Sequence, residues 1–242
     1  MCAFIDGNSL PRLLLFGGTG SIGSAINQYF QARGWLVYLV TRQTPTSGSM
    51  IHWDPLSEEA LNNTPNELAQ NGPFDAVCWA QGMNCSDSIF NIDLKLHSKV
   101  YQANVIYILS TLHTLLKQDL LKKPARLCVI SSIWQEMARQ NKLSYCVTKA
   151  ALQGLVLSAA ADLASEGHVI NAVLPGVIDT PMTRANLSAE QINGVEGSTL
   201  FKRLPKLQEV ASCVFDLCRP ETTGITGQFI HVDLGYSRVR II

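Results

Sequence analysis

The sequence predicts one α/β domain, a doubly wound parallel sheet of seven strands with helices on both faces. Three observations point there. Apolar runs of strand length alternate with longer segments of helical periodicity along the chain. The first run ends in a glycine-rich turn, Phe16-Gly17-Gly18-Thr19-Gly20-Ser21-Ile22-Gly23, that opens a helical segment. The length of 242 residues, 47% of them hydrophobic, suits a single core.

Residues 1–11 have no basic start followed by an apolar stretch, so they read as a lead-in tail and not a signal peptide. The first strand is 13–16. Helix 21–33 carries Ile22, Ala25, Ile26, Tyr29 and Phe30 at helical spacing, with Gly34 as its stop. The second strand is 35–41. Residues 43–49 are too few for a crossover helix, and 50–53 form the third strand. Residues 58–70 read as a helix and 74–80 as the fourth strand. A long, largely helical stretch covers 89–121. The fifth strand is 126–131, followed by an Ala- and Leu-rich helix over 145–166. The sixth strand is 169–174. Residues 177–205 are the longest insertion after a strand end and the natural candidate for a mobile lid over a site. Helix 208–218 and strand 227–232 complete the sheet. Ligands of such a fold bind at the carboxyl ends of the strands.

Composition narrows the function. Lys plus Arg equals Asp plus Glu, 19 against 19. With no basic stripe, nucleic acid is not an expected partner. The apolar runs are strand-sized, far short of the ~20 residues of a membrane helix, so no membrane partner is expected either. The seven cysteines are odd in number and lack a Cys-x-x-Cys pair; Cys78 and Cys128 lie in apolar runs. That pattern fits a reducing, cytoplasmic setting rather than a disulfide framework. The five histidines are scattered, and no metal site is expected. Charged residues make up 16%, below the ~25% of ordinary domains, which predicts surface buried against other subunits.

The glycine turn brings backbone N–H groups and a helix N-terminus toward a pyrophosphate with no Cβ atoms in the way. Thr41 and Arg42 stand at the end of the second strand, where an acid would select NAD. A guanidinium there pairs with a 2′-phosphate, which favours NADP(H) over NAD(H). Tyr145 and Lys149, at i and i+4, share a helix face. A lysine cation beside a phenol favours the phenolate and suits the pair to proton exchange with a carbonyl or alcohol oxygen. Ser131 and Ser132 end the apolar fifth strand, and Asn104 is a polar residue inside the apolar run 100–116.

Together these motifs resemble the short-chain dehydrogenase/reductase family in its compact form, over residues 12–237. Ser132 lies 13 residues before Tyr145 (145 − 132), and Tyr145 with Lys149 makes the Tyr-x-x-x-Lys motif. Leu174-Pro175-Gly176-Val177-Ile178-Asp179-Thr180-Pro181-Met182 is similar to the family's Pro-Gly segment. Residues 225–228 and 232–235 resemble its C-terminal signature. The resemblance implies a Rossmann-like fold and an oxidoreductase that interconverts a carbonyl and an alcohol. It implies catalytic roles for Asn104 (water relay), Ser132 (carbonyl orientation), Tyr145 (proton donor) and Lys149 (ribose contact and tuning of Tyr145). It implies cofactor contacts from Gly17, Thr19, Gly20, Ser21, Ile22, Gly23, Arg42, Asp54, Ala80, Gln81, Gly82, Tyr145, Lys149, Pro175, Gly176, Val177, Ile178 and Thr180. Trp134, Gln135 and Met137 follow the catalytic serine and should wall the pocket of a small carbonyl or alcohol substrate. Apolar and small residues on several faces of the 89–121 and 145–166 helices imply a homodimer or homotetramer.

The chain departs from the family pattern in three places. Phe16 and Ser21 stand where compact members have Thr and Gly. Trp79-Ala80-Gln81-Gly82 replaces Asn-Asn-Ala-Gly, so the Asn that ties neighbouring strands is absent. The crossover between the second and third strands has nearly lost its helix. A regulatory NADP-binding protein without turnover would not need Ser132, Tyr145 and Lys149 together. An epimerase or dehydratase of the extended branch would need a larger C-terminal domain.

Overall fold

The computed structural model describes residues 10–45, 48–57 and 64–239. In chain order the elements are β1 (Arg12–Phe16), α1 (Ser21–Gln31), β2 (Leu36–Thr41), β3 (Met50–His52), α2 (Asn66–Asn71), β4 (Phe74–Trp79), α3 (Leu94–Tyr101) and α4 (Tyr107–Lys117). Then come β5 (Leu121–Ile130), α5 (Leu143–Leu163), β6 (Val169–Pro175), α6 (Pro181–Asn186), α7 (Ala189–Ser198), α8 (Leu207–Cys218) and β7 (Phe229–Val232). The seven strands form one sheet in the order β3-β2-β1-β4-β5-β6-β7, every pairing parallel. The order reverses between β1 and β4, so the crevice at their carboxyl ends is the expected ligand site.

Side chains alternate across the sheet with the two-residue period of a strand. Leu14, Phe16, Val77, Trp79 and Val129 face one helical layer, with Ile108 and Leu115 of α4 and Leu152 and Val156 of α5. Leu13, Leu15, Cys78 and Cys128 face the other, with Ile26 and Phe30 of α1 and Val210 and Val214 of α8. Both faces are buried under apolar side chains, which is why these strands read as continuous apolar runs. The outermost strands are the shortest, with 3 residues in β3 and 4 in β7.

Several boundaries differ from expectation. In the expected helix over 58–70, the described part begins only at Asn66, because Pro65 lacks an N–H and biases Thr64 away from helical backbone; residues 58–63 lie outside the described residues, as do 1–9 of the expected lead-in. The stretch 89–121 is helical from Leu94, where the Asp93 carboxylate caps the first turn, and ends at Lys117. A π turn, Gln102–Ile106, joins its two helices. Strand β5 begins at Leu121, five residues early, and runs through Pro124 with a register shift against β4. Segment 177–205 carries the helices α6 and α7. One helical stretch, Leu143–Glu166, is long and apolar enough to cross a membrane by length and composition, contrary to the reading of the apolar runs. Its residues Leu152, Leu155, Val156, Ala160 and Leu163 pack into the sheet core, as a core helix does.

Candidate active site

The turn between β1 and α1 is shaped by what it excludes. Gly17 has φ +74°, and a Cβ there would lie 2.5 Å from the Gln81 nitrogen. A Cβ on Gly23 would lie 2.1 Å from the Gly17 carbonyl oxygen. Gly20 N–H donates to the Gly17 oxygen at 3.1 Å, closing the turn. Gly20 has no side chain to cap α1, and its first turn holds no acid. The N–H groups of that turn therefore face outward as an anion cradle. Beside it, both amide atoms of Gln81 are buried with no hydrogen-bond partner among the described residues. A side-chain-free cradle, an uncapped helix and an orphaned amide together fit a dinucleotide pyrophosphate.

The sequence departures here are coupled. Phe16 stacks on Trp79, ring centroids 5.8 Å apart and 3° from parallel. The Trp79 indole N–H donates to Thr111 Oγ1 at 2.8 Å. Ala80 N–H donates to the Phe16 oxygen at 2.9 Å. The missing Asn tie is replaced by an aromatic stack beneath the turn and a hydrogen bond to α4. Arg42 is exposed at the end of β2, and its guanidinium has no hydrogen-bond or ion-pair partner among the described residues. Arg42 and Asp54 both act electrostatically on the buried Tyr107 hydroxyl, so the two converge at this edge of the sheet.

The second cluster lies at the end of β5. Ser132 is 7% exposed and its Oγ accepts the Trp134 N–H at 3.3 Å. Its hydroxyl acts on the Tyr145 phenol in the direction that favours ionisation. Burial pushes the phenol up to about 12, with the Ser132 hydroxyl working the other way. Part of Tyr145 faces an open cavity, so water there softens that push. Lys149 Nζ donates to the Ile130 carbonyl at 3.0 Å and stands 5.6 Å from the Tyr145 ring centroid. Burial alone pulls this ammonium down to about 8. Desolvation moves the two groups toward their neutral forms. Asn104, on the π turn, accepts the Met83 N–H at 2.7 Å and donates to the Met83 carbonyl and to Thr148 Oγ1, each at 2.9 Å. Its carboxamide ties the loop after β4 to α5. A Cβ on Gly82 would lie 3.2 Å from Asn104 Oδ1 and 3.9 Å from Lys149 Nζ, so these three groups meet.

Tyr145, Ser131 and Ser132 line one wall of a cavity of about 180 Å³. Ile22 of α1 and Pro175, Gly176, Val177, Ile178 and Thr180 of the segment after β6 line the rest with Trp134, Arg139, Lys142 and Leu187. Thr180 Oγ1 caps α6 by accepting the Thr183 N–H at 3.2 Å. The fold thus brings the start of the glycine-turn helix, the Pro-Gly segment and the Ser-Tyr pair to one space. A second cavity of about 530 Å³, under α7, shares Trp134, Arg139, Val177 and Leu187 with the first and adds Met137, Val195 and Tyr236. Gln135, expected in the pocket wall, lines neither. It sits on the short helical turn after Ser132, 5% exposed, with neither amide atom partnered among the described residues.

One positioning chain carried no motif. The Asp87 carboxylate accepts the Ser144 N–H at 3.0 Å and also its hydroxyl, and His97 Nδ1 lies 2.8 Å from Ser144 Oγ. An acid at the first turn of α5 suits the helix dipole, and it fixes the residue next to Tyr145. Among the described residues no cluster could hold a metal ion.

Residues 17–237 match the family described as enoyl-(acyl carrier protein) reductase. The chain is 28% identical over 235 residues to a 3-oxoacyl-[acyl-carrier-protein] reductase of Vibrio cholerae, covering 92% of this chain and 95% of that one. A short chain dehydrogenase family protein from Francisella tularensis has a similar structure, with TM-score 0.82 at 26% identity over 95% of this chain and 99% of that one. The 3-oxoacyl-[acyl-carrier protein] reductase from Brucella melitensis, solved in complex with NAD, matches with TM-score 0.86 at 22% identity over 97% and 100% of the two chains.

Proposed function

The chain belongs to the short-chain dehydrogenase/reductase family of oxidoreductases, and from that premise we propose that it interconverts a carbonyl and a secondary alcohol by hydride transfer with NADP(H), Tyr145 acting as acid and base. What carries the reading is the Ser132–Tyr145 hydroxyl pair, set across one small cavity from Ile22 and the 175–180 segment, with Lys149 on the next helical turn.

NADPH, when bound, supplies the hydride. The glycine turn, Gln81 and the 175–180 segment would hold it, and the unpartnered Arg42 would take a 2′-phosphate. In reduction, Ser132 donates a hydrogen bond to the substrate oxygen and Tyr145 gives it a proton. A phenol held up near 12 is fully protonated at neutral pH, the state a proton donor needs. Lys149, kept close by the Ile130 carbonyl, supplies the charge that favours the phenolate once the proton has left. Asn104 acts through position, holding Met83 and Thr148 around the Lys149 ammonium.

The same reading makes the protein a cytoplasmic homodimer or homotetramer. Val147, Ala150, Gly154, Leu157 and Ala161 form an exposed stripe of apolar and small residues along α5, and Leu109 of α4 is also exposed. All described cysteines are free, as a reducing compartment would keep them.

The test joins two measurements. Tyr145→Phe should abolish turnover of a ketone while leaving NADPH binding intact; unchanged turnover would sink the assignment of the proton donor. A fluorescence titration should give NADPH at least tenfold tighter than NADH, about 1.4 kcal/mol, with the gap closed in Arg42→Gln. Equal affinities in the wild type would make Arg42 an ordinary surface residue.

A further inference from the structure

The two neighbouring cavities carry charge of one sign. Arg139 borders both, Lys142 borders the smaller, and no Asp or Glu lines either among the described residues. Lys142 is already committed. It is 7% exposed, and its ammonium donates to Asn84 Oδ1 at 3.2 Å, the Cys85 carbonyl at 3.0 Å and Ser86 Oγ at 3.1 Å. The carboxylate that acts on it, Asp87, is itself held by Ser144.

Arg139 is different. It is half-buried, and its guanidinium makes no hydrogen bond, ion pair or ring contact with any described residue. Apart from Arg42, every other described arginine has found a partner. Arg184 holds Asp179, Arg203 holds Glu209, Arg219 reaches Asp216 and Arg238 holds Glu136. Arg12 and Arg126 donate to carbonyls, and Arg33 lies over Tyr29. A guanidinium partly withdrawn from water carries a desolvation cost that a planar anion relieves through two parallel hydrogen bonds. Arg139 and Lys142 stand close enough for the one cation to act on the other.

We propose that the substrate carries a carboxylate as well as the reacting carbonyl, and that Arg139 binds the carboxylate while Ser132 and Tyr145 hold the carbonyl oxygen. The argument rests on the function proposed above for the identity of the reacting end. Both ends line one cavity of about 180 Å³, a space that suits a small oxo acid. The body of a larger substrate would pass Trp134 and Leu187 into the space lined by Met137, Val195 and Tyr236. Arg139 is then a specificity residue, separating oxo acids from neutral ketones of the same shape.

The probes are acetoacetate and its ethyl ester, titrated by calorimetry at low ionic strength, both without nucleotide and with NADP⁺, against which a ketone cannot react. The wild type should bind the acid at least tenfold more tightly than the ester. Arg139→Gln should bring the acid down to the level of the ester, and Arg139→Lys should retain part of the preference. Equal binding of acid and ester, binding of neither, or a preference that survives Arg139→Gln would overturn the assignment. An Arg139-dependent preference in a protein without ketone turnover would uphold this inference and sink the oxidoreductase reading. Turnover of neutral ketones without that preference would do the reverse.

Discussion

Replacing Lys149 by Met tests the electrostatics of the site without any substrate. The lysine is 4% exposed, its one hydrogen bond goes to the Ile130 carbonyl, and burial alone pulls it from the ordinary 10.5 down to about 8. The unfolded chain thus holds the proton more tightly than the fold does. Below pH 8 both states are protonated, and the fold bears the full cost of the buried cation, about 3 kcal/mol. As pH rises from 8 to 10.5, the folded protein is already neutral while the unfolded chain is still charged, so the cost shrinks and stability rises. Tyr145 works in the opposite sense but later: with the folded phenol near 12, its effect falls above pH 10. It is also present in both proteins. Between pH 7.5 and 9.5 the wild type should therefore gain about 2 kcal/mol relative to Lys149→Met. At pH 7.5 the variant should be the more stable by about 2 kcal/mol, the charge cost less about 1 for the lost hydrogen bond. Urea unfolding of the ligand-free proteins at the two pH values, followed by tryptophan fluorescence, measures both quantities. A stability difference that does not change with pH would refute the reasoning.

Two further outcomes follow from the packing. The Phe16–Trp79 stack should appear in a double-mutant cycle with Leu at each position as a coupling of about 0.5–1.5 kcal/mol, and strictly additive losses in thermal unfolding would remove its role as the substitute strand tie. Leu157→Glu, placed on the exposed stripe of α5, should lower the assembly state seen by light scattering with the fold intact by circular dichroism. An unchanged mass would place the subunit contact elsewhere.

The sheet was legible because parallel strands covered on both faces have no choice but to be apolar throughout, and those runs stand out between helices. Strand β5 extends ahead of its apolar run 126–131, through Pro124, where the register against β4 shifts. Helices α6 and α7 were missed for a different reason. Neither shows a buried residue among those described, so neither has an apolar stripe to betray it. Their start signals were nevertheless present: Thr180 before Pro181, and the Ser188–Gln191 capping box. Ser132, Tyr145, Lys149 and the glycine turn could be read because local spacing fixes their geometry. Arg139 could not, since only the fold reveals which arginine lacks a partner. The Asp87–Ser144–His97 chain was equally hidden, being joined across 57 and 47 residues of sequence.

The shortness of the outer strands bears on how the protein behaves at high concentration. An exposed sheet edge is a row of unsatisfied amides and carbonyls that can template a strand from another molecule. Here the two edges offer 3 and 4 residues, each too brief a ladder to recruit a neighbour, while the apolar interior strands are sealed between helices. Fibre-like growth through the sheet is thereby disfavoured, and contacts between copies are left to helical surfaces, where association can close on itself and stop.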